Sequence, residues 1–189
     1  MSVDRFILTG PPGGGKTTLL RDLAGAAFRT VDEAATDVIT DWQQRGIETP
    51  WTDPSFIDAV VTTQRDRQIH LGSTTAPQFY DRSPLCTLAL AQWLGYPISE
   101  VLQCEIDRIL RDSIYRREVF FLRSLGFVTP TEVRRISLAD SIHFGNLHEK
   151  IYRSHGFELT YVEPGPIQQR VNFIQQCIGR ARETSIIKK

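Results

Sequence analysis

Near the start of this 189-residue chain, Gly10, Gly15, Lys16 and Thr17 complete the spacing G-x-x-x-x-G-K-[ST] within "ILTGPPGGGKTTLL". Glycine at Gly10, Gly13, Gly14 and Gly15 lets backbone N–H groups turn inward around phosphate oxygens, where larger side chains would obstruct them. Lys16 is placed to bridge β- and γ-phosphates, the Thr17 hydroxyl to ligate Mg²⁺, and Thr18 to reach an α-phosphate. A strand before the motif and a helix after it add the positive end of a helix dipole. A nucleoside triphosphate, ATP or GTP, is the expected ligand. Its terminal phosphate can pass to a small molecule, be lost to water while driving a conformational change, or simply be held.

Further groups suited to that choice stand where apolar segments end. In "FYDRSP", Asp81 and Arg82 follow Phe79 and Tyr80, and ligands of open α/β sheets sit outside such strand ends. Asp81 is suited to hold Mg²⁺ or its water, and Arg82 to offer its fork of donors to an anion. An Asp–Arg pair at the surface is the alternative. In "TVDEAAT", Asp32 and Glu33 close the second strand. Glu33 is the chosen acceptor for the proton of an attacking hydroxyl, although it would also serve the dipole of the next helix. Arg134 and Arg135, on the loop "RSLGFVTPTEVRR" that also carries Arg123, can stabilise charge on a transferring phosphoryl group or form a solvated face.

The elements that must position these groups alternate strand and helix, which predicts a parallel sheet with helices on both faces. The strands are "RFILTG", "FRTVDEA", "PQFYDRS", "EVFFL" and "FELTYVEPG". Helices are predicted over "KTTLLRDLAGAA", "TDVITDWQQRG", "SFIDAVVTTQRDRQIH", "PLCTLALAQWLG", "SEVLQCEIDRILRDSIY", "SLADSIHFGNLHEKIYRSHG" and "PIQQRVNFIQQCIG", with "RARETSIIKK" a solvated end. One domain over 1–189 is expected, with no repeat or linker.

Composition narrows the partners. Lys+Arg 22 against Asp+Glu 22 gives zero net charge, so no basic excess marks a nucleic-acid or anionic-membrane surface. Apolar runs are too short to span a bilayer, and "MSVDRFILTG" is expected to run straight into a strand without a secretory signal. Cys86, Cys104 and Cys177 are expected to be buried free thiols in a reducing cytoplasm. The four histidines lack metal-ligand spacing.

"ILTGPPGGGKTTLLRDLA", "VDEAA", "FYDRSPLCTLALAQWLG", "VFFLRSLGFVTPTEVRRIS" and "GFELTYVEPGPIQQRVNFI", in that order, resemble the small AAA-labelled P-loop family that includes the nicotinamide riboside kinase domain of NadR regulators. The resemblance covers nearly the whole chain. It implies a nucleoside- and nucleotide-monophosphate-kinase-like α/β fold, with a five-stranded parallel sheet and an arginine-bearing lid over roughly 123–137. It also places Glu33 where deoxynucleoside kinases carry a carboxylate acting on the acceptor hydroxyl, Asp81–Arg82 at their acidic-residue–Arg pair, and Arg134–Arg135 in the lid. Trp42, Trp51 and Phe56 then fall where such kinases build the acceptor pocket; Trp42 is the candidate to stack on a base, with core packing as the alternative.

The chain lacks the strand-borne Asp-Glu pair and the arginine-finger pattern of remodelling motors. The expectation is a Mg²⁺- and ATP-dependent kinase for a nucleoside-like or other hydroxyl-bearing metabolite. The alternative is a nucleotide-dependent switch, or slow NTPase, acting through a protein partner.

Overall fold

β-branched and aromatic residues concentrate in five short segments that become the strands β1 (Arg5–Thr9), β2 (Arg29–Val31), β3 (Gln78–Asp81), β4 (Glu118–Leu122) and β5 (Glu158–Val162). All pair in parallel, in the order β2-β3-β1-β4-β5. The computed structural model describes residues 3–26, 28–72, 75–126 and 137–187, the last seven by backbone alone. Among the described residues, seven α-helices accompany the strands: α1 (Lys16–Gly25), α2 (Ala34–Gln44), α3 (Ser55–Leu71), α4 (Pro84–Trp93), α5 (Glu100–Arg111), α6 (Leu138–Ser154) and, after β5, α7 (Ile167–Ile187). Among the described residues, no helix is long and apolar enough to cross a membrane.

Successive strand residues face opposite sides of a sheet, so each strand feeds two apolar layers. Phe6, Leu8, Phe79, Phe120 and Leu122 pack against Leu19, Leu20 and Leu23 of α1 and Val171, Ile174 and Ile178 of α7. On the other face Ile7, Tyr80 and Val119 meet residues of α2 to α6, among them Phe56, Val60, Leu85, Ile106 and Tyr152. β1 lies between β3 and β4. The chain therefore runs from β1 to the edge strand β2, returns to place β3 between them, and then crosses β1 to the other side. That reversal opens a crevice at the carboxyl ends of β1 and β3, where an open α/β sheet holds its ligand.

Several boundaries differ from the sequence expectation. β2 is only three residues long, which leaves Asp32 and Glu33 beyond the strand. α5 stops at Arg111 and not at Tyr115, because Ser113 turns to φ 48° and Ile114 N–H bonds back to Ile109 O. α7 continues past Gly179 to Ile187, through the segment expected to be a solvated end. A helix-interior glycine costs about 1 kcal/mol, which disfavours but does not forbid such a continuation. Cys104 is exposed on α5, contrary to the expectation of burial, whereas Cys86 is buried.

Candidate active site

The turn after β1 is shaped by its glycines. A Cβ on Gly10 would lie 2.3 Å from the Leu122 carbonyl of β4, so only glycine lets these strand ends approach. Gly13 and Gly15 take φ values of 80° and 76°, which L side chains rarely adopt. Gly15 is also the N-cap of α1 and supplies no side-chain bond. Helices α4, α5 and α6 are instead capped by Ser83, Ser99 and Ser137, each accepting an N–H of its own first turn. The first-turn amides of α1 are left for an anion. Lys16 is 4% exposed, and its Nζ donates to Gly10 O at 3.1 Å and Pro11 O at 2.8 Å, which holds the ammonium over the loop. Thr17 and Thr18 stand exposed on the first turn.

Beside this loop, β3 delivers two charged residues into the interior. Asp81 and Arg82 are 5% and 9% exposed, so the surface-pair alternative fails on burial. Arg82 has φ 75°, a strained backbone for a bulky residue and one that collects at functional sites. Its Nε donates to Glu33 Oε1 at 2.5 Å, while the Thr36 hydroxyl donates to Glu33 Oε2 at 2.9 Å. Glu33 occupies the N-cap position of α2 yet makes no capping bond; its carboxylate turns inward to the guanidinium. Burial works against the charge on Arg82, but Glu33, Cys86 and Asp81 more than offset it and raise its pKa.

His148 completes the cluster from α6. It is fully buried, its Nδ1 donates to Phe144 O at 2.7 Å, and its Nε2 then accepts from Arg82 Nη1 at 3.3 Å. Burial, followed by the neighbouring guanidinium, pushes its pKa down to about 3, so the imidazole is neutral and can accept. α6 also docks on the phosphate loop: Ser141 Oγ donates to Pro12 O at 2.8 Å, and Gly145 lies against the Pro11 ring.

A cavity of about 720 Å³ opens between α2, α3, α4 and α6, and Pro12, Glu33 and Arg82 stand in its wall. Trp51, Phe56, Trp93 and Phe144 supply aromatic surface, and Gln43, Glu48, Thr49, Gln64 and Thr87 supply polar groups. Thr87 donates its hydroxyl to Gln64 Oε1 at 2.8 Å, which orients the amide and leaves its nitrogen as a donor. Trp42 does not line this cavity. It packs edge-on to Phe56 at 6.0 Å, in the layer behind the wall, so the structure corrects its placement to core packing.

Gln64, Thr87, Trp93, Phe144 and His148 escaped the sequence reading. Gln64 carried a signal: Phe56, Val60 and Gln64 follow one another at four-residue spacing, so a glutamine interrupts an apolar stripe of α3. Arg134 and Arg135 lie outside the described residues. Arg123 is held away from the cavity, 3.5 Å from Glu149 and stacked over the Tyr161 ring at 3.8 Å.

Residues 5–170 match the model of the family described as AAA domain. The chain belongs to that family. No curated protein sequence matches it. In structure, this AAA-domain chain is similar to deoxyadenosine kinase from M. mycoides with bound dATP, at TM-score 0.62 and 13% identity over 93% of this chain and 99% of that one. The dCTP-bound form of that kinase gives TM-score 0.64 and 14% identity over the same shares. NadR protein in complex with NAD and AMP-PNP gives TM-score 0.65 and 14% identity over 92% of this chain and 49% of that one, so the present chain spans about half of it. The fold is that of the P-loop kinases, with a five-stranded parallel sheet between helices, as the motifs implied.

Proposed function

We propose that this protein is a kinase that transfers the γ-phosphate of ATP to a hydroxyl of a nucleoside-like metabolite. One observation carries the reading: the Glu33–Arg82 pair stands in the wall of an aromatic-lined cavity that also reaches Pro12 of the phosphate loop. A hydrolase needs only water beside its γ-phosphate. A cavity of about 720 Å³ with a few convergent polar groups suits a small organic acceptor.

The loop amides and Lys16 hold the phosphates. Glu33 accepts the proton of the attacking hydroxyl as the acceptor oxygen bonds to the γ-phosphorus and the bond from that phosphorus to the β,γ-bridging oxygen breaks, releasing ADP. Arg82 holds the Glu33 carboxylate aimed, and His148 steadies Arg82 from behind. Aromatic walls sandwich a planar base, and the Gln64 amide is placed to hydrogen-bond its edge. Arg134 and Arg135 are proposed to close over the phosphates.

Thr17 and Asp81 are the proposed Mg²⁺ residues. A hydroxyl and a carboxylate are hard oxygen donors, and Mg²⁺ takes one or two such groups together with phosphate oxygens and water. Bound there, the ion would offset charge on the β- and γ-phosphates. The test is ATP consumption over a panel of nucleosides, nicotinamide riboside and sugar alcohols, with mass spectrometry of the products. A phosphorylated acceptor equimolar with ADP is expected. Free phosphate without such a product, stimulated by a macromolecular partner, would overturn the reading in favour of a nucleotide switch.

A further inference from the structure

Arg170 sits in the first turn of α7, where a cation opposes the helix dipole. It is only 5% exposed. Among the described residues it forms no ion pair, and its Nε has no hydrogen-bond partner. Burial alone shifts its pKa, downward, with no carboxylate acting against it. Dipole, burial and missing counter-charge all disfavour arginine here, so its place is not explained by the stability of α7.

What it touches is the phosphate loop. Nη2 donates to the Gly14 carbonyl at 2.8 Å, across 156 positions of sequence, and Nη1 lies 3.0 Å from where a Gly15 Cβ would stand. A trans peptide is planar, with its C=O and N–H on opposite sides. The Gly14 carbonyl and the Gly15 N–H belong to one such unit. Drawing the carbonyl towards α7 therefore turns the Gly15 N–H the other way, into the concave side of the loop. The guanidinium charge behind the carbonyl also polarises the unit and makes that N–H a stronger donor.

We infer that Arg170 is a positioning residue for the phosphate cradle, which fixes the Gly14–Gly15 peptide so that the Gly15 amide faces the β- and γ-phosphates of the nucleotide. The role rests on the triphosphate reading of the loop but not on the identity of the acceptor. It also gives a physical reason for glycine at Gly15 beyond its φ: a side chain there would displace the guanidinium. A cleft of about 220 Å³, lined by Gly165, Gln169, Arg170 and Phe173 among others, flanks the same arginine. A direct contact from Arg170 to the nucleoside part of the ligand through that cleft is the competing role.

Two ligands separate these roles: ATP and inorganic triphosphate, each with Mg²⁺ and each measured by calorimetry against the wild type, Arg170→Met and Arg170→Lys. The inference expects Arg170→Met to weaken both ligands by the same factor, tenfold or more, in a protein with wild-type circular dichroism. Arg170→Lys keeps a charged donor and should recover at least threefold of the loss for both. Affinities of Arg170→Met within twofold of wild type would overturn the inference, as would a loss confined to ATP, which would mark a contact to the nucleoside. If Arg170→Met fails to fold, Arg170→Gln, which removes the charge and shortens the reach to the Gly14 carbonyl, decides in its place: equal weakening of both ligands by at least threefold supports the inference, and an unchanged or ATP-only effect overturns it. A wild-type protein that binds neither ligand would instead sink the triphosphate reading of the loop.

Discussion

Replacing Glu33 by glutamine should damage stability modestly and transfer severely, and the structure sets both magnitudes. The Glu33 and Arg82 side chains are 12% and 9% exposed, with 2.5 Å between Oε1 and Nε. Removing one member of a buried ion pair costs about 3–5 kcal/mol. Two features reduce that here. The amide oxygen of glutamine still accepts from Nε, and Asp81 independently favours the charge on Arg82. A loss of about 2 kcal/mol is expected, which for a chain of this length lowers Tm by about 4–8 °C. Against a typical stability of about 5–15 kcal/mol, that leaves nearly every molecule folded, so unfolding cannot lower the rate by much. Removing a positioned proton acceptor lowers the rate by about 10²–10⁴-fold. Single-turnover product formation, read beside thermal unfolding, measures the two effects separately. Glu33→Asp is the control: it keeps the charge but withdraws the carboxylate by one methylene, so Tm should recover more than rate. Turnover of Glu33→Gln within threefold of wild type, at a lowered Tm, would show Glu33 to be only the counter-ion of Arg82 and refute its role as base.

Lys16→Ala removes the ammonium held over the loop and should cost about 2–5 kcal/mol of ATP binding, about 30- to 4,000-fold in Kd; unchanged calorimetric affinity in the folded variant would remove the phosphate-loop assignment. Asp81→Asn should shift the Mg²⁺ titration of activity to about 10–100-fold higher concentration with less change in nucleotide affinity, and a titration overlaying the wild type would return Asp81 to a structural part. His148 has a folded pKa of about 3 against an ordinary 6.5, depressed by burial and Arg82. Its contribution is therefore complete above pH 6.5 and is lost as pH falls from there towards 3, by about 2 kcal/mol at pH 5. His148→Gln should flatten the wild-type fall in urea midpoint between pH 7 and 5, and parallel curves would show that another group governs it.

The sequence alone determined the phosphate loop, because its chemistry is carried by the backbone of residues adjacent in the chain: Gly10 to Thr17 need no distant partner to be recognised. Strand-and-helix alternation likewise implied the layered parallel sheet, since apolar period and turn residues are local. Asp81, Arg82 and Glu33 were legible one by one, as charges at the ends of apolar segments. That Glu33 pairs with Arg82, rather than Asp81 with Arg82 at the surface, was decided by the fold, because β2 and β3 lie side by side and burial leaves the guanidinium in reach of the carboxylate. The end of α5 was set by the backbone turn at Ser113, which no residue type in that stretch announced. Trp42 had the composition of a ligand-stacking residue, and only the arrangement of α2 against α3 turned it to the core and left Phe56 on the cavity wall. His148 and Arg170 bore no local mark at all. Each acts through one side chain brought in from a remote helix, 66 and 156 positions from its partner, and spacing along a chain holds no record of a contact that exists only once the helices have packed.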